Sequence, residues 1–243
     1  MNPSALTFPI YFLSYDEPNA EENWQELQKR YPRSKRLHGI SGIQRAHQMC
    51  ALDCDSTHFF VVDGDNKVDP GFRFSISSQQ FDPKAIHVWR CKNPVNDLVY
   101  GYGAIKLFPV SPFKKIEMGL DLSTGLGVPY KILPEVASET HFHHTPFQAW
   151  RGAFRESAKL TKQIAMNPND SQSLHRLDAW CKNGGQRPNG RWVIEGAKSG
   201  KAFALSNLSD SKNLEKINNF DWLEGLFIEK FHQDGRVSEI YPS

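Results

Sequence analysis

Apolar residues fall in short unbroken runs near the start of the chain and at helical spacing further along. Ile10–Ser14 (IYFLS) and Phe59–Val62 (FFVV) are continuous apolar stretches, each closed by polar residues. Runs of that length predict strands covered on both faces, as in the parallel sheet of an α/β protein. Between them, Trp24, Leu27 and Tyr31 recur at helical spacing over residues 20–31, with Glu21 and Glu22 in the first turn and Lys29 and Arg30 in the last. That charge order matches a helix dipole. A short strand at Arg36–His38 and a helix at Gln44–Leu52, with Ile43, His47, Cys50 and Cys54 along one side, complete the alternation. Strand, helix, strand, helix, strand predicts parallel strands joined by right-handed crossovers.

Beyond this the pattern loosens. Ile86–Arg90 alternates as a strand. Pro146–Met166 has the strongest helical period, with Thr145 as N-cap and Phe147, Trp150, Phe154, Ala158 and Thr161 on one face. Leu174–Trp180 and Asp221–Phe231 read as further helices, and Arg191–Gly200 followed by Ala202–Leu205 as irregular or β structure. The prediction is one α/β domain spanning residues 1–243, a mixed Rossmann-like sheet flanked by helices with a helical C-terminal part.

Ligands of open α/β sheets bind beyond the carboxyl ends of the strands. Two loops fall there: YDEPN, carrying Tyr15, Asp16 and Glu17, and the sequence Asp63, Gly64, Asp65 that ends FFVVDGD. Two aspartates separated by a glycine can turn both carboxylates to one side. Such hard oxygen donors suit Mg²⁺ or Mn²⁺ held together with a substrate diphosphate. The alternative is a polar turn, since Asp and Gly are turn residues anyway. With YDEPN on the same edge, suited to a base or ribose, the pair points to a nucleotide or nucleotide-sugar site.

The later segments offer candidates for a second substrate. Asn93, Asn96, Tyr100 and Tyr102 gather amides and aromatics among glycines, either as a strand with close backbone approach or as a stacking platform. Lys106 reads as a snorkelling edge residue or an anion contact. Asp121 sits in apolar company and so needs a partner or a task. With Glu139 it is a candidate base, and Asp121 is favoured. His141, His143 and His144 make either a surface turn or a source of a metal ligand. Arg151 and Arg155 could hold phosphate in bidentate geometry.

Composition narrows the class. The chain has 243 residues, 39% hydrophobic and 23% charged, enough for a sizeable core. It contains no long apolar window, and the N-terminal MNPSALTFPI lacks a basic region ahead of an apolar stretch, so the expectation is a cytoplasmic protein with no membrane association. The four cysteines include no C-x-x-C and read as small buried thiols. Net charge is only +2, so attraction to a polyanion would come from local patches. Two stretches qualify: Lys29, Arg30, Arg33, Lys35 and Arg36, and the glycine-rich loop with Lys182, Arg187 and Arg191.

Several blocks together carry a resemblance: IYFLSYDEPNAEENWQ, HGISGIQRAH, VVDGD, WRCKNPVNDLVYGYGAIKLFP and TPFQAWRGAFRE. From about Ile10 to Asp221–Trp222 the chain resembles the TET/JBP-associated glycosyltransferases, a group that includes phage enzymes decorating modified bases in DNA. The resemblance implies a glycosyltransferase A-type fold and transfer of glucose or arabinose from a nucleotide-sugar, in first place a UDP-sugar. The acceptor would be the hydroxyl of a 5-hydroxymethylated pyrimidine, usually 5-hydroxymethylcytosine, in phage DNA inside an infected host cell. Residues 1–110 would form the nucleotide-sugar half, with Arg45 of HGISGIQRAH on the donor side, and residues 111–243 the acceptor half. At HFHH the chain departs from the family's pattern, so no role passes to His143 or His144. Two other classes stay open. A nucleotidyltransferase also uses a strand-end aspartate pair, though it would be expected to carry a glycine-rich phosphate loop near the first strand. A non-catalytic DNA-binding module would use basic and aromatic surface without a metal.

Overall fold

The computed structural model describes residues 4–101, 105–115 and 126–233. Asp121, with the surrounding Met118–Leu122 segment, and Tyr102 lie outside the described residues. The chain divides into two compact units, one formed by residues 1–93 and 99–141 and the other by residues 94–98 and 142–243. The 110/111 division between donor and acceptor halves does not coincide with this boundary.

The first unit is an α/β layer structure. Its elements are β1 (Ala5–Thr7), β2 (Ile10–Ser14), α1 (Ala20–Arg30), β3 (Lys35–His38), α2 (Ile43–Asp53), β4 (His58–Asp63), β5 (Asn66–Val68), β6 (Ser75–Ser77), β7 (Ile86–Lys92), β8 (Val99–Tyr100), β9 (Ile105–Pro109) and β10 (Tyr130–Thr140). Among the described residues the main sheet runs β3-β2-β4-β9-β7-β10-β5, with β8 added to β7, and β1 pairs with β6 in a small ribbon. Strand β2 is parallel to both β3 and β4, as the alternation predicts. Strand β9 enters antiparallel between β4 and β7, and β10 is parallel to β7, so the sheet is mixed.

Both faces of the sheet are covered. Phe12, Phe60, Val62, Trp89 and Leu107 pack with Leu27 of α1, and Tyr11, Phe59, Val61, Val88 and Phe108 pack with Cys50 of α2. That double coverage is why Ile10–Leu13 of β2 and Phe59–Val62 of β4 are unbroken apolar runs. Strand β10 carries Pro134 where its register against β7 shifts between Leu133 and Val136. A proline, lacking an N–H, is tolerated at such an irregularity. Cys50 and Cys91 are free and buried.

The second unit is helical: α3 (Pro146–Met166), α4 (Ser171–Lys182), α5 (Gly190–Ser206), a one-turn α6 (Ser211–Leu214) and α7 (Phe220–Gln233). Thr145 caps α3, its side chain accepting from the Gln148 N–H at 3.2 Å, with Pro146 in the first turn. The expectation of irregular or β structure over Arg191–Leu205 is corrected: this stretch lies within the 17-residue helix α5. Its glycines lower helix propensity, but Gly196 and Gly200 lie against the backbone of Trp150 and Phe154 in α3. Tertiary packing outweighs the local preference there. Among the described residues no helix is long and apolar enough to cross a membrane.

Candidate active site

Strand alternation brings a charged cluster to one end of the sheet. Counting from the apolar run, Asp63 falls on the same face as Phe59 and Val61, the face under α2. Lys106 of β9 pairs across from Val61, which makes Asp63 its diagonal neighbour on that face. Diagonal positions lie within reach of a long side chain. The Lys106 ammonium indeed donates to Asp63 Oδ2 at 3.2 Å. The side chain that sequence reasoning left between an edge residue and an anion contact is therefore the counter-ion of the first aspartate.

The loop between the two aspartates is held on all sides. Asn23 in α1 donates to the Gly64 carbonyl at 3.0 Å, and the backbone N–H of His141 donates to the Asp65 carbonyl at 2.7 Å. Asn19 reaches the Asp65 carbonyl at 3.5 Å. Asn66, itself buried, donates to Asp65 Oδ1 at 2.6 Å and accepts from the Thr140 hydroxyl at 2.8 Å. A Cβ on Gly64 would stand 2.7 Å from Glu17 Oε2 and 3.0 Å from the Leu13 carbonyl oxygen, so a larger residue there would push the Glu17 carboxylate away. Asn23 and Asn66 escaped the sequence reading. The available signal was a polar residue, Asn23, facing inward from the α1 helix.

Glu17 of the YDEPN loop thus comes to the aspartates, while Tyr15 and Asp16 of the same loop are exposed. The Glu17 carboxylate also accepts from its own loop, from the Tyr15 N–H at 2.7 Å. Three carboxylates share the site. Burial, then the charges of Asp63 and Glu17, push the Asp65 carboxyl up to about 7 against the opposing pull of Lys106. His47 on α2, buried against Phe108, feels both Asp63 and Lys106 and is driven down to about 4, chiefly by burial. It is neutral at pH 7. Arg45, one helical residue before Ala46, is exposed.

These residues fit a divalent cation. One Lys106 leaves negative charge in excess, and two aspartate carboxylates with diphosphate oxygens form a donor set that Mg²⁺ or Mn²⁺ accepts. Among the described residues no group of three or more His, Cys, Asp and Glu side chains is placed to hold a metal ion by itself. Substrate oxygens and water would complete the coordination.

Of the proposed bases, Glu139 is described. It stands on β10 next to Thr140, paired with Lys92 at 4.0 Å and His141 Nε2 at 3.4 Å, and its side chain is 44% exposed. Several acceptor candidates turn out to have other duties. Asn93 and Asn96 are buried, and Asn96 Oδ1 accepts from the Leu98 N–H at 3.2 Å, so neither amide is open to a base. Tyr100 is partly buried against the core cluster that includes Trp89 and Cys91, and pairs with Cys91. Arg151 and Arg155 lie over the Phe220 ring at 4.1 and 5.0 Å, and Arg155 also donates to the Ile217 carbonyl at 2.9 Å. They tie helices together.

In the first basic run Lys29 and Arg33 are exposed and the other three have partners. Arg30 donates to the carbonyls of Asp69, Pro70 and Phe72, Lys35 pairs with Asp53 at 2.7 Å, and Arg36 pairs with Glu21 at 2.5 Å. In the second stretch, Lys182 pairs with Asp178 at 2.5 Å within its own helix. Arg187 and Arg191 line a cavity of about 430 Å³ together with His144, Asn189 and Gly190 at the start of α5. Arg187 makes a longer ion pair with Asp97 at 3.5 Å.

No family model and no curated protein matches the chain. Two solved structures that resemble part of it are a protein described as a glucose-1-phosphate thymidylyltransferase from Bacillus anthracis in complex with a sucrose, and a glycosyltransferase involved in the glycosylation of the major capsid of PBCV-1. The first is 13% identical over 51% of this chain and 67% of its own, with a TM-score of 0.31. The second is 13% identical over 44% of this chain and 62% of its own, with a TM-score of 0.26.

Proposed function

We propose that the chain is a divalent-metal-dependent glycosyltransferase of A-type fold that moves a sugar from a nucleotide-sugar to the hydroxymethyl group of a modified pyrimidine in DNA. The observation that carries the donor half is the convergence of Glu17, Asp63 and Asp65 at the carboxyl ends of parallel strands β2 and β4, on a loop fastened by Asn23 and Asn66. A fixed, charge-rich loop at that edge suits a diphosphate bound through a cation. The nature of the acceptor rests on the resemblance of the sequence blocks to the TET/JBP-associated glycosyltransferases.

Asp63 and Asp65 would hold the ion, Mn²⁺ or Mg²⁺, together with the donor diphosphate. When bound, that ion supplies a positive charge opposite the charge that builds on the departing nucleoside diphosphate. Asp121 or Glu139 would take the proton of the acceptor hydroxyl as its oxygen bonds to the sugar carbon and the sugar–phosphate bond breaks. Lys92 at 4.0 Å and His141 Nε2 at 3.4 Å flank the Glu139 carboxylate. Glu139→Gln is expected to lower kcat by roughly 100-fold or more while donor affinity changes less than about twofold, since only a transition-state interaction is lost. Wild-type turnover in that variant would remove Glu139 from the reaction.

Arg187 and Arg191, beside the N-terminus of α5, would meet backbone phosphates of the DNA, which position without reading sequence. Each neutralised phosphate adds about 0.9 to the log–log slope of affinity against salt. The double change Arg187→Ala, Arg191→Ala should therefore flatten that slope by about 1 to 2 and leave donor binding untouched. The deciding experiment for the function as a whole offers a panel of UDP-sugars to hydroxymethylated and unmodified DNA with Mn²⁺ and reads the mass of the product. A pentose or hexose added to hydroxymethylated DNA alone is the expected result. No added mass with any donor would refute it.

A further inference from the structure

A lysine on an inner strand of a sheet covered on both faces is unusual, because its ammonium must find a partner away from water. Lys106 lies on β9 between β4 and β7, with Leu107 and Phe108 buried beside it, and its side chain is only 15% exposed. Its ammonium is directed to Asp63 Oδ2, one of the oxygens that the glycosyltransferase reading assigns to the divalent cation. Among the described residues Lys106 is the ion-pair partner of Asp63. A lysine and a divalent ion cannot both sit against that oxygen without strong repulsion at this range.

We propose that Lys106 is an exchangeable counter-cation: it holds Asp63 in the empty site, yields that carboxylate to the entering metal ion, and then pairs with the diphosphate of the nucleotide. The inference rests on the glycosyltransferase reading of the same carboxylates and adds the residue that couples metal entry to diphosphate binding. Lysine suits the task better than arginine, being a compact charge on a flexible stem with no fixed bidentate geometry to lose on turning. The exchange also keeps the pocket from carrying three uncompensated carboxylates between turnovers.

The coupling has a signature that a merely structural ion pair lacks, namely effects of opposite sign on two ligands. With the full chain, binding of Mn²⁺ alone is measured by the loss of the free-ion electron paramagnetic resonance signal, and binding of UDP in saturating Mn²⁺ by calorimetry. Lys106→Met should tighten Mn²⁺ alone by roughly tenfold, since no ammonium has to be displaced, and weaken UDP by roughly tenfold, since one phosphate partner is gone. Lys67→Met, which removes an equal charge on β5 that pairs with Glu26 of α1, controls for long-range electrostatics and should leave both near the parental values. UDP affinity unchanged in Lys106→Met, or Mn²⁺ binding no tighter than in Lys67→Met, overturns this inference alone. If the unaltered chain binds neither Mn²⁺ nor UDP, the glycosyltransferase reading falls with it. Should Lys106→Met fail to fold, the side-chain ¹⁵N resonance of Lys106 in the unaltered protein, identified by its absence in Lys106→Arg, is followed instead. It should shift when Mg²⁺ is added and shift again with UDP, and indifference to either addition refutes the exchange.

Discussion

Asp65→Asn should be more thermally stable than the unaltered protein above pH 7 and at the same time lose metal-dependent nucleotide binding by 100-fold or more. The reason lies in the carboxyl's raised pKa, about 7 in the folded chain against the ordinary 3.8. An acid whose folded pKa is raised binds its proton more tightly when folded than when unfolded. Its stabilising contribution is therefore complete below about pH 4, declines as pH rises from 4 to 7, and is absent above. The gross size of that decline is on the order of 4 kcal/mol. Asparagine is neutral throughout and keeps an oxygen for the bond from Asn66, so it removes the penalty without removing the contact. Melting temperatures of both chains, measured from pH 4 to 8 without metal, should converge at the acid end and separate toward the alkaline end. Adding Mn²⁺ at pH 8 should then raise the melting point of the unaltered protein alone, because a ligand that binds only the folded state stabilises by mass action. An Asp65→Asn chain less stable at pH 8, or one that still responds to Mn²⁺, would show that the aspartates do not form a cation site.

Such a trade of stability for charge explains why the loop was legible from sequence while its surroundings were not. The run FFVV ending in Asp63, Gly64 and Asp65 carries strand, turn and carboxylates within seven residues. So do the N-cap of α3 and the charge order of α1. The groups that complete the site come from far along the chain: Lys106 is 43 residues from Asp63, and Asn23 is 41 residues from Gly64. The same distance hid the duties of the first basic run. Arg30 looks like part of a patch for a polyanion, yet the carbonyls it satisfies are 39 to 42 residues away. Asn93 and Asn96 misled in the opposite sense. Amides among tyrosines and glycines suggest an open recognition surface, and here both are buried, with Asn96 Oδ1 accepting from the Leu98 N–H.

Gly196→Ala combined with Gly200→Ala should destabilise the helical unit by about 2 to 4 kcal/mol, whereas Gly225→Ala should leave it unchanged or up to about 1 kcal/mol more stable. All three glycines lie inside helices, so propensity alone favours alanine at each. Contacts reverse the sign at two of them. A Cβ on Gly196 would lie 2.2 Å from the carbonyl oxygen of Trp150, and one on Gly200 2.1 Å from that of Phe154. Those obstacles are backbone of α3 and cannot rotate aside, so α5 would have to back away along its length. The four-residue spacing matches on the two helices, Gly196 with Gly200 and Trp150 with Phe154, which is how one continuous stripe of α5 can lie close to α3. Backing away would also open the packing of Trp150, Phe154 and Trp192, which are fully buried. Around Gly225 nothing stands within 4 Å of the added methyl, so only the entropic gain remains. The two substitutions share one helix pair and should be less than additive. Chemical denaturation of the double variant and of Gly225→Ala reads the outcome. Stabilisation of both variants would mean that α3 and α5 do not approach through these glycines.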